Sequence, residues 1–323
     1  TELVAKYGAD YIGLYRTEFP FMLRKSFPTE EEQVELYCKV LENSAPLPIT
    51  IRTFDAGGDK MFSFLDDAPE DNPFLGWRSI RISLDMEEIF RTQIRAILRA
   101  SAFGSTHILF PMISCMTEIH RIRAIVTEEK ENLSKQGISY DPDLQLGIMV
   151  EVPGAVLILK RMLAYVDFVS IGTNDLIQYL LAVDRNNKRV ASRYTVLHPS
   201  VIATIADIVA TCREAGKTIS ICGEAAANPQ GIFLFVGMGA DHISMTPSAI
   251  PMAKNFIRSI RRSDAEQCLH AALDMEDAGA VAQLLKSYFR GLPFTENMMG
   301  GPGIQKSDMM AEMDGDRKST RLN

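Results

Sequence analysis

Five strand-length apolar runs in this chain each end on a charged or polar side chain. They are YIGLYR, ending at Arg16; PITIRTFD, with Arg52 and Asp55; LGIMVE, ending at Glu151; FVSIGTND, with Asn174 and Asp175; and TISICGE, with Cys222 and Glu224. Helical stretches lie between them. A repeating strand–helix chain whose reactive side chains sit just past the strand ends is expected to fold as an α/β barrel with its site on one face. Arginines, a lysine, two well-separated acids and a thiol suit a small anionic substrate and a divalent metal.

The remaining pattern fits that frame. ELVAKYGAD reads as the tail of a helix. Thr29 and Glu32 have capping-box spacing before a helix with Val34, Tyr37, Val40 and Leu41 on one side. Asp85 is expected to cap a helix carrying Ile89, Phe90, Ile94, Ile97 and Leu98 at 3.6-residue spacing, after a long connection through NPFLGWR. Strands are expected at 11–16, 49–55, 107–112, 146–152, 168–173, 218–222 and 242–246. Helices are expected at about 117–137, 154–165, 175–183, 199–215, 229–237, 249–261, 264–274 and 277–289. Seven strands are one short of a (β/α)8 TIM barrel. The expectation is therefore an N-terminally truncated barrel, its first strand missing, over residues 1–290 with C-terminal helices. Residues 291–323 lack apolar periodicity and read as a disordered tail. The closing DRKSTRLN continues no upstream pattern and is left out of the fold reasoning.

Bulk properties exclude several classes. The net charge is −7, from 34 basic and 41 acidic residues, which argues against nucleic acid as the main partner. No apolar run approaches the roughly 20 residues of a membrane span, and the first residues do not have the order of a signal peptide. Five scattered cysteines without a C-x-x-C pair fit a reducing compartment, so the expected location is cytoplasmic.

The chemistry rests on few side chains. Glu151 and Asp175 end buried strands and suit magnesium, although Asp175 could equally cap the helix that follows. Arg16, Arg52, Lys60, Arg78 and Arg185 form a basic set. A strand-end arginine more commonly pairs with a neighbouring acid, here Glu18 or Asp55, but several at different strand ends favour an anion. Arg78 and Arg81 share the segment GWRSIRI, and spacing does not choose between them. Gly57-Gly58-Asp59-Lys60 allows close approach to an oxyanion. Cys222 is a buried small hydrophobe by default, and an acid or nucleophile by placement. His198 precedes a helix and reads as structural.

GLYRTEFPFM, FPTEEEQ, IRTFDAGGDK, NPFLGWRSIRI, GIMVEVP, VDFVSIGTNDLIQYLLAVDRNN, HPSV, ICGEAA and GMGADHISM keep one order and spacing across about residues 1–290. They resemble the C-terminal phosphoenolpyruvate-binding barrel of the phosphoenolpyruvate-protein phosphotransferases, Enzyme I of the bacterial phosphotransferase system. PFML, MVEVP and AVDRNNKRVA are most similar to the nitrogen-related branch. The resemblance implies that Arg16, Arg52, Arg78 and Arg185 hold the substrate's phosphate and carboxylate, assisted by Lys60 and Asn174. It implies magnesium (Mg2+) at Glu151 and Asp175, and protonation of the enolpyruvate methylene carbon by Cys222. It also implies a homodimer and a histidine-containing phosphocarrier protein as partner. The family's phospho-accepting histidine, in a GGxTSH-like motif, has no counterpart here, and neither does the helical domain that docks the carrier. Autophosphorylation therefore calls for N-terminal domains beyond this sequence. Three alternatives share parts of the pattern: a pyruvate phosphate dikinase or phosphoenolpyruvate synthase barrel, whose motif reads RTEH where Phe19 follows Glu18 here; a non-catalytic dimerisation module; and a barrel lyase or aldolase acting on a pyruvate-like acid.

Overall fold

In a computed structural model of the chain, residues 2–18, 21, 26–57, 70–290 and 292 are described. Seven strands, β1 (Ile12–Arg16), β2 (Ile49–Arg52), β3 (Thr106–Phe110), β4 (Gln145–Val150), β5 (Phe168–Gly172), β6 (Thr218–Cys222) and β7 (His242–Ile243), form one sheet. They lie in sequence order and every neighbouring pair is parallel. Such strands need a crossover between each pair. Helix α1 (Glu2–Lys6) precedes β1, and the crossovers carry α2 (Glu30–Glu42), α3 (Ile80–Asp85), α4 (Glu87–Ser101) and α5 (Met116–Lys135). After β4 come α6 (Pro153–Leu157) and α7 (Leu159–Met162), then α8 (Thr173–Leu181), α9 (Pro199–Glu214) and α10 (Pro229–Met238). Helices α11 (Ile250–Ser259), α12 (Arg262–Leu273) and α13 (Ala278–Phe289) follow β7.

The sheet curls until its ends meet side by side. The rings of Tyr11, before β1, and His242 on β7 have centroids 4.6 Å apart. A Cβ on Gly13 would come within 2.9 Å of Ser244 Oγ. Among the described residues no ladder joins β7 to β1, so this is a nearly closed TIM-like barrel of seven strands. Side chains alternate across each strand. Ile51, Ile108, Val150, Ile171 and Ile221 are fully buried on one set of positions. Leu109, Met149 and Cys222 cluster with Leu14 and Phe168 on the other.

Local signals explain most boundaries. Thr29 and Glu32 form the capping box of α2. The His198 side chain accepts from Ser200 N at the start of α9, and the Asn228 side chain does the same for α10. Several details differ from the sequence reading. Strand β7 covers only His242–Ile243 of the expected 242–246. Asp85 ends α3 instead of capping α4; its carboxylate accepts from Trp77 Nε1 at 2.8 Å. The expected helix 154–165 is broken into α6, α7 and a 3-10 turn, Leu163–Tyr165. Strand β2 stops at Arg52, not Asp55, leaving 53–56 as irregular chain. The expected disordered tail lies outside the described residues except for Leu292.

Candidate active site

Register brings the strand ends together. Arg16 pairs with Arg52 across β1–β2, Val150 with Ile171 across β4–β5, and Gly172 with Cys222 across β5–β6. Glu151, Gly172 and Cys222 therefore stand at one level of the barrel's C-terminal rim, where barrel enzymes carry their chemistry.

An alternating web of charges spans this rim. Arg52 Nη2 donates to Glu18 Oε1 and lies 2.8 Å from Asp55 Oδ2. Asp55 also accepts from Ser79 Oγ and, at 3.3 Å, from Arg78 Nη2. Arg78 Nη2 reaches Asp175 Oδ2 at 3.2 Å, and Asp175 Oδ1 lies 3.9 Å from Arg185 Nη1. Glu18, Arg52, Asp55, Arg78 and Asp175 are all buried. The pairing of Arg52 with Glu18 and Asp55, the bland alternative for a strand-end arginine, is thus present. It does not exhaust the web: among the described residues Arg52 Nε, Arg78 Nε and Arg185 Nη1 are buried without a hydrogen-bond partner. Buried N–H groups rarely stay unpaired, and three of them on neighbouring guanidinium groups could be satisfied together by an anion.

The choice between Arg78 and Arg81 falls to geometry. Arg78 enters the web, whereas Arg81 donates to the Leu75 and Gly76 carbonyls. Gly57, at φ +95°, makes the packing possible, because a Cβ there would overlap Arg78 Cβ. Arg16 ends β1 exposed. Lys60, Gly58 and Asp59 lie outside the described residues.

Glu151 is strongly perturbed. Burial, then the like charges of Asp175 and Asp55, push it up to about 8 against the pull of Arg52 and Arg78. Its Oε1 accepts from Met112 N at 2.7 Å, and Met112 takes φ +58° to reach it. A Cβ on Gly172 would overlap Oε2. A buried carboxylate pressed by neighbouring negative charge would be relieved by a small hard cation, and Glu151 and Asp175 are the residues that could hold one. No group of three or more His, Cys, Asp or Glu suited to a metal occurs among the described residues. Asp175 is not the cap of α8: it is the third residue of that helix, whose N-cap is Gly172.

Cys222 is buried, and its thiol is raised to about 11, by burial first, with Glu151 adding and Ser170, Arg52 and Arg16 opposing. Its Sγ donates to the Ile171 carbonyl at 3.2 Å and Ser170 Oγ approaches at 3.8 Å. Such a thiol stays protonated at neutral pH, which suits an acid and not a thiolate nucleophile. Asn174 Oδ1 accepts from Glu224 N at 2.9 Å, tying β5's end to the turn after β6. The sequence reading missed Phe74 and Tyr179, and it assigned Asp55 and Glu18 no role beyond pairing. A carboxylate three residues after an arginine was the available signal for Asp55.

Comparison with known proteins accords with this geometry. The family described as PEP-utilising enzyme, PEP-binding domain, matches residues 1–262. A phosphoenolpyruvate-protein phosphotransferase of Haemophilus influenzae is 44% identical over 281 residues, covering 87% of this chain and 49% of the relative. Those of Priestia megaterium and Staphylococcus aureus are each 42% identical, over 286 and 287 residues, covering 88% and 89% of this chain and 50% of each relative. The chain spans about half the length of the curated relatives it matches.

Proposed function

Because the chain belongs to the PEP-utilising enzymes through their PEP-binding domain, we propose that it binds phosphoenolpyruvate with magnesium and supports phosphoryl transfer to a histidine on a separate N-terminal domain, releasing pyruvate. The observation that carries the reading is the set of unpartnered buried N–H groups on Arg52, Arg78 and Arg185. Arg52 and Arg78 have each given part of the fork to carboxylates and keep Nε as a donor, while Arg185 Nη1 stands 3.9 Å from Asp175, beyond hydrogen-bond distance.

Phosphoryl transfer depends mainly on positioning and charge neutralisation. Arg52, Arg78 and Arg185 would orient the phosphate and carboxylate, with Arg16 and Lys60 adding positive charge and Asn174 holding the rim in place. Magnesium bound by Glu151 and Asp175 would neutralise charge on the phosphate and on the developing enolate. As the enol oxygen–phosphorus bond breaks, the phosphoryl group passes to the acceptor nitrogen. The electron pair left on the enolate takes a proton from the Cys222 thiol at the methylene carbon, giving pyruvate, and the thiol is reprotonated from water.

The relatives' printed name supports a protein as the phosphoryl acceptor; the sequence resemblance adds a histidine-containing phosphocarrier protein downstream and a homodimer as the working form. The five free cysteines support a cytoplasmic setting, and no helix among the described residues is long and apolar enough to cross a membrane. PFML, MVEVP and AVDRNNKRVA support the nitrogen-related branch.

Thermal melts of the chain with magnesium and phosphoenolpyruvate, separately and together, test the reading. A ligand at about 100 times its dissociation constant adds roughly 2.7 kcal/mol to the folded state. The expected result is a midpoint raised when both are present and unchanged in Arg52→Ala or Glu151→Ala. A cooperative melt that both ligands together leave unmoved would overturn it.

A further inference from the structure

We propose that Tyr179 is a positioning residue that, together with Phe74, fixes the Arg78 and Arg185 guanidinium groups for the anion. The inference rests on the phosphoenolpyruvate reading of the site.

Tyr179 lies on α8, one helical turn beyond Asp175, so both face the same side. Its hydroxyl has one proton and donates it to the Phe74 carbonyl. The same oxygen accepts from Arg78 Nη1 at 2.9 Å. A hydroxyl that donates to a carbonyl is a better acceptor for a cation, so the two bonds reinforce each other. Burial raises the phenol to about 12, ahead of the charge effects of Arg78, Asp175 and Glu151. It therefore remains a phenol throughout the neutral range.

Phe74 completes the clasp. Its ring lies against two guanidinium groups, with Arg78 Cζ 5.9 Å and Arg185 Cζ 5.5 Å from the centroid. An arginine stacked on an aromatic face keeps its N–H edges free for bidentate hydrogen bonds. One ring thus serves both arginines, and Tyr179 holds that ring's own backbone. Asp175 takes Nη1 and Nη2 of Arg78 as a fork, at 3.5 and 3.2 Å. The shorter Tyr179 bond and the Phe74 face add a second hold on the same guanidinium.

The test is calorimetric titration of the full chain with phosphoenolpyruvate in saturating magnesium. Tyr179→Phe removes the two hydrogen bonds and keeps the ring; it should weaken binding about tenfold, the effect of a lost bond to a charged group, with a melting midpoint near that of wild type. Phe74→Leu keeps the carbonyl that Tyr179 engages and removes the aromatic face; it should weaken binding about threefold. A double-mutant cycle separates positioning from mere packing. In an Arg78→Lys background, Tyr179→Phe should change affinity less than twofold, because the group it orients is gone. Undiminished affinity in Tyr179→Phe, or a tenfold loss that persists in the Arg78→Lys background, would overturn the inference while leaving the functional reading intact. Absence of binding by the wild-type chain would overturn both.

Discussion

Two networks of alternating arginines and carboxylates lie in this molecule, and they differ in what they leave over. The outer one joins α2, α4 and α5. All three guanidinium nitrogens of Arg91 have acceptors, among Glu87, Glu128 and Glu129. Those of Arg95 bond to Glu30, Glu129 and Thr92. The inner one, at the barrel rim, is more deeply buried, yet among the described residues it keeps three unpartnered donors and a carboxylate raised to about 8. A network that only holds helices together can satisfy itself. Under the proposed function, an anion and a cation would take up what the inner network leaves over.

Arg78→Ala should break the inner network hardest. It leaves Asp55 and Asp175 buried without the charge between them, and removing one partner of a buried pair costs about 3–5 kcal/mol. Urea unfolding should show that loss, and phosphoenolpyruvate should no longer raise the melt. A variant as stable as wild type would mean that the rim charges are not energetically coupled.

The raised Glu151 gives the comparison a pH signature. Its folded value, about 8, lies above its ordinary value of 4.5. Between those values the native chain holds a proton that the unfolded chain has released, so stability falls as pH rises, by at most about 1.4 kcal/mol per unit. Glu151→Gln should flatten the slope between pH 4.5 and 8. If the wild-type slope survives in Glu151→Gln, this carboxylate is not its source. Magnesium and ligand together should oppose the trend by favouring the ionised form.

Gly172→Ala acts on the same carboxylate sterically. The new Cβ would overlap Glu151 Oε2, forcing the side chain to move. Phosphoenolpyruvate affinity in magnesium should fall about tenfold, and ligand titration checks this. An unchanged affinity would show that Oε2 is not needed where it stands.

The barrel was legible in the sequence because each strand is a short apolar run closed by a polar residue, and that pattern survives burial on both faces. Helix α3 was not. Its N-cap Ser79 sits at φ +53° without a side-chain cap bond, so GWRSIRISLD carries no start signal. Asp85 has capping chemistry but spends it on Trp77. At the site, Glu151, Asp175, Arg52 and Cys222 stood out because charge or sulfur at a strand end is unusual. Tyr179 and Phe74 did not, since an aromatic on an apolar helix face or in a loop reads as packing. Their roles depend on Arg78, more than 100 positions from Tyr179, and no local pattern encodes that meeting.

The smallest effect belongs to the outer network and decides whether the contrast holds. Arg99 on α4 donates to Glu30 and Glu31 of α2, and Glu31 is exposed. Partly exposed pairs are screened by solvent and salt, so Arg99→Gln should cost less than about 1 kcal/mol. That difference should shrink further in 0.5 M salt, while affinity for phosphoenolpyruvate stays at the wild-type value. Urea unfolding at two ionic strengths and one ligand titration make the measurement. A cost as large as that of Arg78→Ala would place the two networks in one energetic class and leave burial without the role given to it. A loss of affinity would mean that the helix layer transmits to the rim, and the self-satisfied network would then belong to the site.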